Sequence, residues 1–214
     1  MIPSSFRSPL PPLLGLLLFT GQAGAYEGRV ILIQGDQQPS VGTVIPAGGR
    51  IRTSAGAVVI LETTEGARLK LKGDSEVEIG DGEHPGARLH RGGVFARIPK
   101  MKGPRPAFRI RSKAAVMGVR GTEFYTAYGK SDSEVWMCVR EGEVEVDTLK
   151  PAKDPVLVKA GQGVWIRENG PPPEAKSFEW TKGLNWNQDP AAGDLVDQTR
   201  PGTGYGNPIR YNYD

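Results

Sequence analysis

One stretch of the chain decides its fold class, and it reads Arg68-Leu69-Lys70-Leu71-Lys72-Gly73-Asp74-Ser75-Glu76-Val77-Glu78-Ile79. Charged and apolar residues alternate on both sides of a Gly-Asp turn, and this period of two is typical of β-strands with one buried face. Gly73 and Asp74 tolerate the positive φ values at which a hairpin reverses. The stretch therefore predicts two strands joined by a tight turn, with the apolar side chains in a core and the charged ones in water.

The same alternation recurs throughout residues 26–168, which we predict to be a single β domain. Phe108-Arg109-Ile110-Arg111 and Glu143-Val144-Glu145-Val146 each present one apolar and one charged face. Three further runs, at 30–33, 58–61 and 135–139, are apolar on both faces and are expected to lie centrally, covered on each side. Glycine-rich turns separate these runs, and no long stretch has helical periodicity. We therefore predict an all-β fold, a two-sheet β-sandwich with jelly-roll-like or wound connections.

The first 25 residues are typical of an export signal. Arg7 is the only charged residue among them, the run from Leu13 to Phe19 is short and apolar, and Ala23-Gly24-Ala25 offers a small-x-small cleavage pattern. The apolar run is shorter than the roughly 20 residues that span a bilayer. We therefore predict a signal peptide at 1–25, a periplasmic or secreted mature protein that begins at Tyr26, and no membrane span after cleavage.

Residues 169–214 differ in composition from the β domain. Three consecutive prolines, Pro171 to Pro173, stand near the start, and aromatic residues punctuate the Gly- and Pro-rich sequence that follows. A disordered spacer would carry fewer aromatic residues. We predict an irregular C-terminal tail and leave two interpretations open. Either the segment from Phe178 to Trp186 wraps back over an edge of the β domain, or Trp180 and Trp186 dock a partner or a glycan.

A short motif in the second half of the β domain, Gly118-Val119-Arg120-Gly121-Thr122-Glu123-Phe124, resembles the signature of the FecR domain family. Other pieces fit that family in the same order, namely Ile51-Arg52-Thr53, Leu69-x-Leu71, Gly93-Val94-Phe95, Phe108-Arg109-Ile110-Arg111, Glu141-Gly142-Glu143-Val144 and Ala160-Gly161. The resemblance spans most of 41–166 and implies a periplasmic all-β domain. In this family the domain is often part of a transmembrane regulator that relays an outer-membrane signal to a sigma factor.

The chain departs from that regulator layout at both ends. Only about a dozen residues precede the apolar run, too few for a cytoplasmic domain that holds a sigma factor, and a Pro/Gly-rich tail stands in place of a transducer-docking domain. Lys113 also occupies a position where relatives often carry a turn-forming proline. The resemblance therefore carries over the extracytoplasmic β module, without the parts that hold a sigma factor or dock on a transducer.

The family motif has a physical interpretation as a structural clasp. Gly118 and Gly121 bracket Arg120, so the backbone can turn there or another strand can approach closely. We expect Arg120 and Glu123 to form a charge-assisted pair, with Val119 and Phe124 in the core. The alternative is that Arg120 binds a ligand.

Basic residues are concentrated in one block of the sequence. From His84 to Arg120 there is no acidic residue, although the net charge of the chain is only +3. We expect Arg109 and Arg111 to share the solvent face of one strand, Arg97 to lie on a neighbouring strand, and Lys100, Lys102 and Arg105 to lie on an exposed loop. With Lys113 these residues form the candidate surface for an anionic partner. The alternative is a solvated face neutralised by carboxylates on adjoining strands, namely Glu62, Glu65, Glu76, Glu78, Glu143 and Glu145.

Residues with catalytic or metal-binding spacing are missing from the sequence. His84 and His90 are separated by a Pro-Gly turn, the single cysteine, Cys138, lies in an apolar run, and no nucleophile elbow or phosphate-binding loop occurs. We predict no catalytic residue, no metal and no cofactor. The predicted function is a non-enzymatic protein-interaction, sensing or scaffold module of the cell envelope, without nucleic-acid binding. The alternative is a module that binds carbohydrate or an anionic polymer through a basic strand face.

Overall fold

The computed structural model describes residues 26–80, 85–100, 108–129, 134–149, 155–168, 170 and 173–199. The predicted signal peptide at 1–25, the loop residues Lys102 and Arg105, and His84 lie outside these residues, so the predictions made for them stay predictions.

Strands account for most of the described residues, and two short 3₁₀ turns lie in the tail. The strands are β1 (Glu27–Gln34), β2 (Val44–Pro46), β3 (Arg50–Arg52), β4 (Val58–Thr63), β5 (Arg68–Leu71), β6 (Glu76–Ile79), β7 (Gly86–Arg91), β8 (Gly93–Ile98), β9 (Phe108–Arg111), β10 (Ala115–Val119), β11 (Thr122–Tyr128), β12 (Glu134–Glu141), β13 (Glu143–Thr148), β14 (Val156–Lys159) and β15 (Gly163–Arg167). The 3₁₀ turns span Glu179–Gly183 and Pro190–Ala192. In the described part of the chain, no helix has the length and apolar character needed to cross a membrane.

The strands form two sheets that face each other. One sheet has eight strands in the order β15-β12-β11-β8-β5-β4-β1-β2, and the other has seven in the order β14-β13-β10-β9-β7-β6-β3. Neighbouring strands are antiparallel except β7 and β9, which are parallel because β8, between them in sequence, belongs to the other sheet. The predicted all-β, two-sheet sandwich is confirmed.

Residues 68–79 form two strands as predicted, but these two strands do not pair with each other. β5 pairs with β4 and β8 in the eight-stranded sheet, whereas β6 pairs with β3 and β7 in the seven-stranded sheet. The turn at Asp74, whose φ is 58°, therefore carries the chain from one sheet to the other instead of closing a hairpin. Alternation specifies which face of a strand is buried, but it does not specify the partner strand.

The main core fills the space between the sheets. Leu69 and Leu71 from β5 meet Val77 and Ile79 from β6 there, and all four side chains are fully buried. The runs at 58–61 and 135–139 are buried on both faces, whereas residues 31–33 of β1 are only partly covered.

The outer face of the eight-stranded sheet departs from the sequence expectation. The alternation of β5 predicts that Lys70 faces water, but its side chain is only 1% exposed. The tail lies over this face, so the position that would be solvated in an isolated strand is covered. The tail first pairs with the edge strand β15 through a bridge between Lys176 and Gly163, and from there it continues over the outer face of the sheet.

Candidate functional site

The predicted basic surface is divided between the two sheets. Arg97 lies on β8, whereas Arg109 and Arg111 lie on the outer face of β9 in the opposite sheet. The expectation that Arg97 lies on a strand next to β9 is wrong, because β9 pairs with β7 and β10. Lys100 and Lys113 are exposed residues beyond the ends of β8 and β9. These five side chains therefore do not share one face.

The family motif carries the chain from one sheet to the other. It begins on β10, turns at Arg120 and Gly121, and continues into β11. Gly121 has a φ of 61°, a conformation that favours glycine. The buried Thr122 hydroxyl donates to the Glu143 carbonyl oxygen at 2.9 Å, which ties the turn to β13. Val119 and Phe124 are buried in the main core, as the clasp interpretation expects.

The acidic residue of the motif, Glu123, pairs with two arginines that the sequence interpretation did not assign to it. Its Oε1 lies 2.9 Å from Arg97 Nη2, and its Oε2 lies 3.3 Å from Arg140 Nη1. The carboxylate is nearly buried, whereas about half of each arginine side chain is exposed. Arg120, the expected partner, is an exposed residue of the turn. Adjacent strands place the three groups together, since β8, β11 and β12 are neighbours in the eight-stranded sheet.

A cleft of about 780 Å³ opens between these arginines and the tail. Arg68, Arg97 and Arg140 line its sheet side, and Trp186 and Gln188 lie on the tail side. The Arg68 guanidinium is held by Glu62, with Nε 2.8 Å from a carboxylate oxygen. Fixed guanidinium groups with exposed N–H donors beside an indole ring can bind an oxygen-rich anionic ligand. We name this site, defined by Arg68, Arg97, Arg140, Trp186 and Gln188, the arginine cleft.

The tail that forms one wall of the cleft is held on the sheet by Lys70. The Nζ atom of Lys70 donates to the carbonyl oxygens of Asn185 at 2.5 Å, Asn187 at 2.7 Å and Leu195 at 3.3 Å. It also lies 4.3 Å from the centre of the Phe95 ring. Burial lowers the pKa of Lys70 from its ordinary value of 10.5 to about 8, and this effect outweighs the opposing attraction of nearby carboxylates.

The asparagine side chains shape the tail so that its carbonyl groups face Lys70. The Asn185 amide nitrogen donates to the Asp194 and Val196 carbonyl oxygens at 2.8 and 3.0 Å, closing the loop that carries them. Lys72 adds a second attachment through an ion pair of 2.8 Å with the buried Asp197 carboxylate, and it also donates to the Thr199 carbonyl oxygen. The position of Trp186 at the cleft therefore depends on two lysines of the sheet.

An aromatic layer lies under the first part of the tail. Trp136 and Trp165 stack with ring centres 5.2 Å apart, and Phe178 and Trp180 contact Trp136 edge-on. Trp180 is nearly buried in this layer, so its ring contributes to internal packing rather than to a free docking surface. Trp186, the other predicted docking residue, is half-buried, with its ring against Phe95 and 5.7 Å from the Arg140 guanidinium carbon.

The outer face of the seven-stranded sheet is a network of opposite charges. Glu78 accepts from Arg50 at 2.9 Å and lies 3.0 Å from His90, while Glu76 pairs with Arg50 and Arg52. Hydrogen bonds from Arg52 lower the pKa of the Glu76 carboxyl group. Of these partners only His90 belongs to the basic block, so the network does not test whether the named glutamates neutralise the arginines and lysines of that block.

Other potentially reactive groups are isolated in the described residues. Cys138 is buried under the tail, and this burial raises the pKa of its thiol, which keeps it protonated. The described part of the chain contains no group of three histidine, cysteine or acidic side chains placed to hold a metal ion.

Sequence reasoning missed Arg68, Lys70, Lys72, Arg140 and Gln188. The first three follow each other at every second position, and this basic stripe marks one face of a single strand. The spacing of Asn185, Asn187 and Asp189 is a further sign, because such residues bond to nearby backbone and order loops.

Comparison with known proteins identifies solved structures with a similar fold. Two crystal structures, each of a candidate anti-sigma factor from Parabacteroides distasonis, are similar to this chain with TM-scores of 0.52. One is 17% identical and aligns over 64% of this chain and 67% of the other, and the second is 18% identical over 67% and 69%. No curated protein matches the chain. The FecR protein family model matches residues 49–145, and the resemblance to the FecR family is thereby confirmed over that part of the chain.

Proposed function

We propose that this chain is an exported, non-enzymatic FecR-like β module that binds a protein partner at the cell envelope and serves as a sensing or scaffold unit. The match of residues 49–145 to the FecR family supports a regulatory role. The similarity in fold to candidate anti-sigma factors, which act by binding proteins, supports the same conclusion. Export rests on the composition of residues 1–25.

The observation that carries the proposed interaction is the apolar edge at the end of the seven-stranded sheet. β14 is the last strand of that sheet, and Leu157 on it is 42% exposed. Leu149, just after the neighbouring β13, is 56% exposed. An edge strand has unpaired backbone groups that can pair with a strand of another protein, and exposed leucines add apolar area to such a contact. We therefore assign the partner to the β14 edge.

The other end of the fold offers a matched control. Val44 lies on β2, the last strand of the eight-stranded sheet, and is 38% exposed. A charge at either edge leaves the core untouched, so both variants should fold. Only the variant at the partner's edge should lose binding.

The test is affinity capture from an envelope fraction with the tagged chain, its Leu157→Glu variant and its Val44→Glu variant. We expect the recovered chain to begin at Tyr26, and we expect one protein to be retained by the wild type and by Val44→Glu but not by Leu157→Glu. Mass spectrometry identifies the retained protein and the N-terminus. Retention by Leu157→Glu at the wild-type level would contradict the β14 assignment, and a chain that stays in the cytoplasm would contradict export.

A further inference from the structure

We propose that the arginine cleft is a binding site for a saccharide that carries carboxylate groups, such as a uronate oligomer. This site lies on the eight-stranded sheet, whereas the proposed protein contact lies at the β14 edge of the other sheet. The two can therefore be tested separately. The proposal rests on the proposed export only for access to envelope saccharides, and binding by the purified protein does not depend on it.

The arrangement of charges in the cleft favours an anion. The Glu123 carboxylate is 7% exposed and lies beneath Arg97 and Arg140, whose side chains are 49% and 50% exposed. A ligand therefore meets the guanidinium groups of Arg68, Arg97 and Arg140 on the sheet side, two of them held in place by a buried carboxylate, and the exposed Asp189 carboxylate on the tail side. Because Glu123 fixes Arg97 and Arg140 before a ligand arrives, little side-chain entropy is lost on binding.

The tail wall supplies a ring and an amide. Trp186 is half-buried and offers an apolar surface beside the guanidinium groups. Gln188 is 8% exposed, and both polar atoms of its amide lack a hydrogen-bond partner in the described residues. Turning this amide toward a ligand would break no existing hydrogen bond. It would instead satisfy a donor and an acceptor whose burial is costly.

The combination of guanidinium groups, an indole ring and an amide in the arginine cleft favours an acidic saccharide over an acidic peptide as the ligand. Guanidinium groups bind carboxylates through paired hydrogen bonds, an indole ring packs on the C–H face of a sugar, and an amide can both donate to and accept from hydroxyl groups. An acidic peptide would use the arginines but offers no comparable partner for the indole ring.

The test is isothermal titration calorimetry of the chain that begins at Tyr26, with tetragalacturonate as the probe. Cellotetraose is the neutral probe of equal length, and tetraglutamate is the acidic peptide probe. We expect tetragalacturonate to bind about tenfold or more tightly than either, with an affinity that falls as salt rises. No measurable binding of tetragalacturonate, or equal binding of cellotetraose or tetraglutamate, would overturn the proposal.

Two pairs of variants locate the site. Arg68→Gln should weaken tetragalacturonate binding about tenfold, whereas Arg50→Gln, at an ion-paired arginine of the other sheet, should not. Gln188→Leu should weaken binding several-fold while the melting temperature stays the same or rises, because two unpaired polar atoms are removed. Gln198→Leu, at an exposed tail position, should bind as the wild type does. Equal effects within either pair would overturn the assignment of the site.

Discussion

The two faces of the eight-stranded sheet are covered in different ways. Its inner face meets the second sheet mainly through apolar side chains, as at Phe124, and a few hydrogen bonds, such as that from the Tyr128 hydroxyl to the Leu89 carbonyl oxygen, join the two sheets. Its outer face meets an irregular tail, and the cover includes lysine hydrogen bonds to Asn185 and Asn187 as well as aromatic packing. A sheet pairs its own backbone groups, whereas an irregular segment leaves carbonyl groups unpaired. Burying such a segment therefore requires donors from the surface beneath it.

Lys70 illustrates why a cation serves this purpose. One ammonium group has three donors, and here three carbonyl oxygens accept from it. Burying the charge has a cost, which the lowered pKa reflects. The hydrogen bonds offset that cost only while the tail is in place, so tail docking and lysine burial depend on each other.

The sharpest way to test the difference between the faces is to truncate one phenylalanine on each. Phe124→Ala opens a cavity in the main core and should lower the free energy of unfolding by about 3–5 kcal/mol. Phe178→Ala, on the outer face, should lower the free energy of unfolding by less than Phe124→Ala does, because the tail can relax into the space left by the ring. Urea denaturation measures both. Equal losses would mean that the tail is as rigid a cover as the second sheet.

A smaller effect is expected from Lys70→Met, which removes the donors and keeps a similar length. The free energy of unfolding should fall by about 2–3 kcal/mol, because three carbonyl groups lose their hydrogen-bond donor. Amide hydrogen exchange should become faster in 185–197 and stay slow in β10, which lies in the seven-stranded sheet. Lys159→Met, at an exposed lysine of β14, is the control and should change stability by less than about 0.5 kcal/mol. Uniformly faster exchange would argue against a separately held tail.

The smallest expected effect is a pH dependence of the same contact. The pKa of Lys70 is about 8 in the folded protein and 10.5 ordinarily, so between these values the unfolded chain binds more protons and stability rises with pH. From pH 7.5 to 9.5 the stability of the wild type should rise relative to Lys70→Met by about 1–2 kcal/mol. Burial also raises the pKa of Tyr125 and Cys138, and a raised pKa makes stability fall as pH rises. Both residues are present in the wild type and in Lys70→Met, so their contributions cancel in the difference between the two proteins. If the difference in stability between the wild type and Lys70→Met stayed constant or fell as pH rises, this would contradict the lowered pKa of Lys70.

Much of the sandwich could be predicted from local patterns, whereas the arginine cleft could not. Alternation in β5, β6, β9 and β13 identified the faces that enter the core, and the motif at 118–124 indicated the resemblance to the FecR family, whose model matches residues 49–145. The sequence did not indicate that Arg97 and Arg140 pair with Glu123, because both arginines are distant from it in sequence and come from neighbouring strands. Only the order and register of those strands bring the two arginines to the carboxylate.

Lys70 shows what can be predicted from the sequence and what depends on the tertiary structure. The sequence by itself determined that this chain forms short strands with one apolar face, because a period of two expresses the geometry of a single strand. Only the tertiary structure decided that the charged face of β5 is covered, since the tail that covers it lies 115 residues further along the chain at Asn185. Contacts over such separations depend on how the sheets are ordered and on which segments remain to cover them, and no local pattern contains that information.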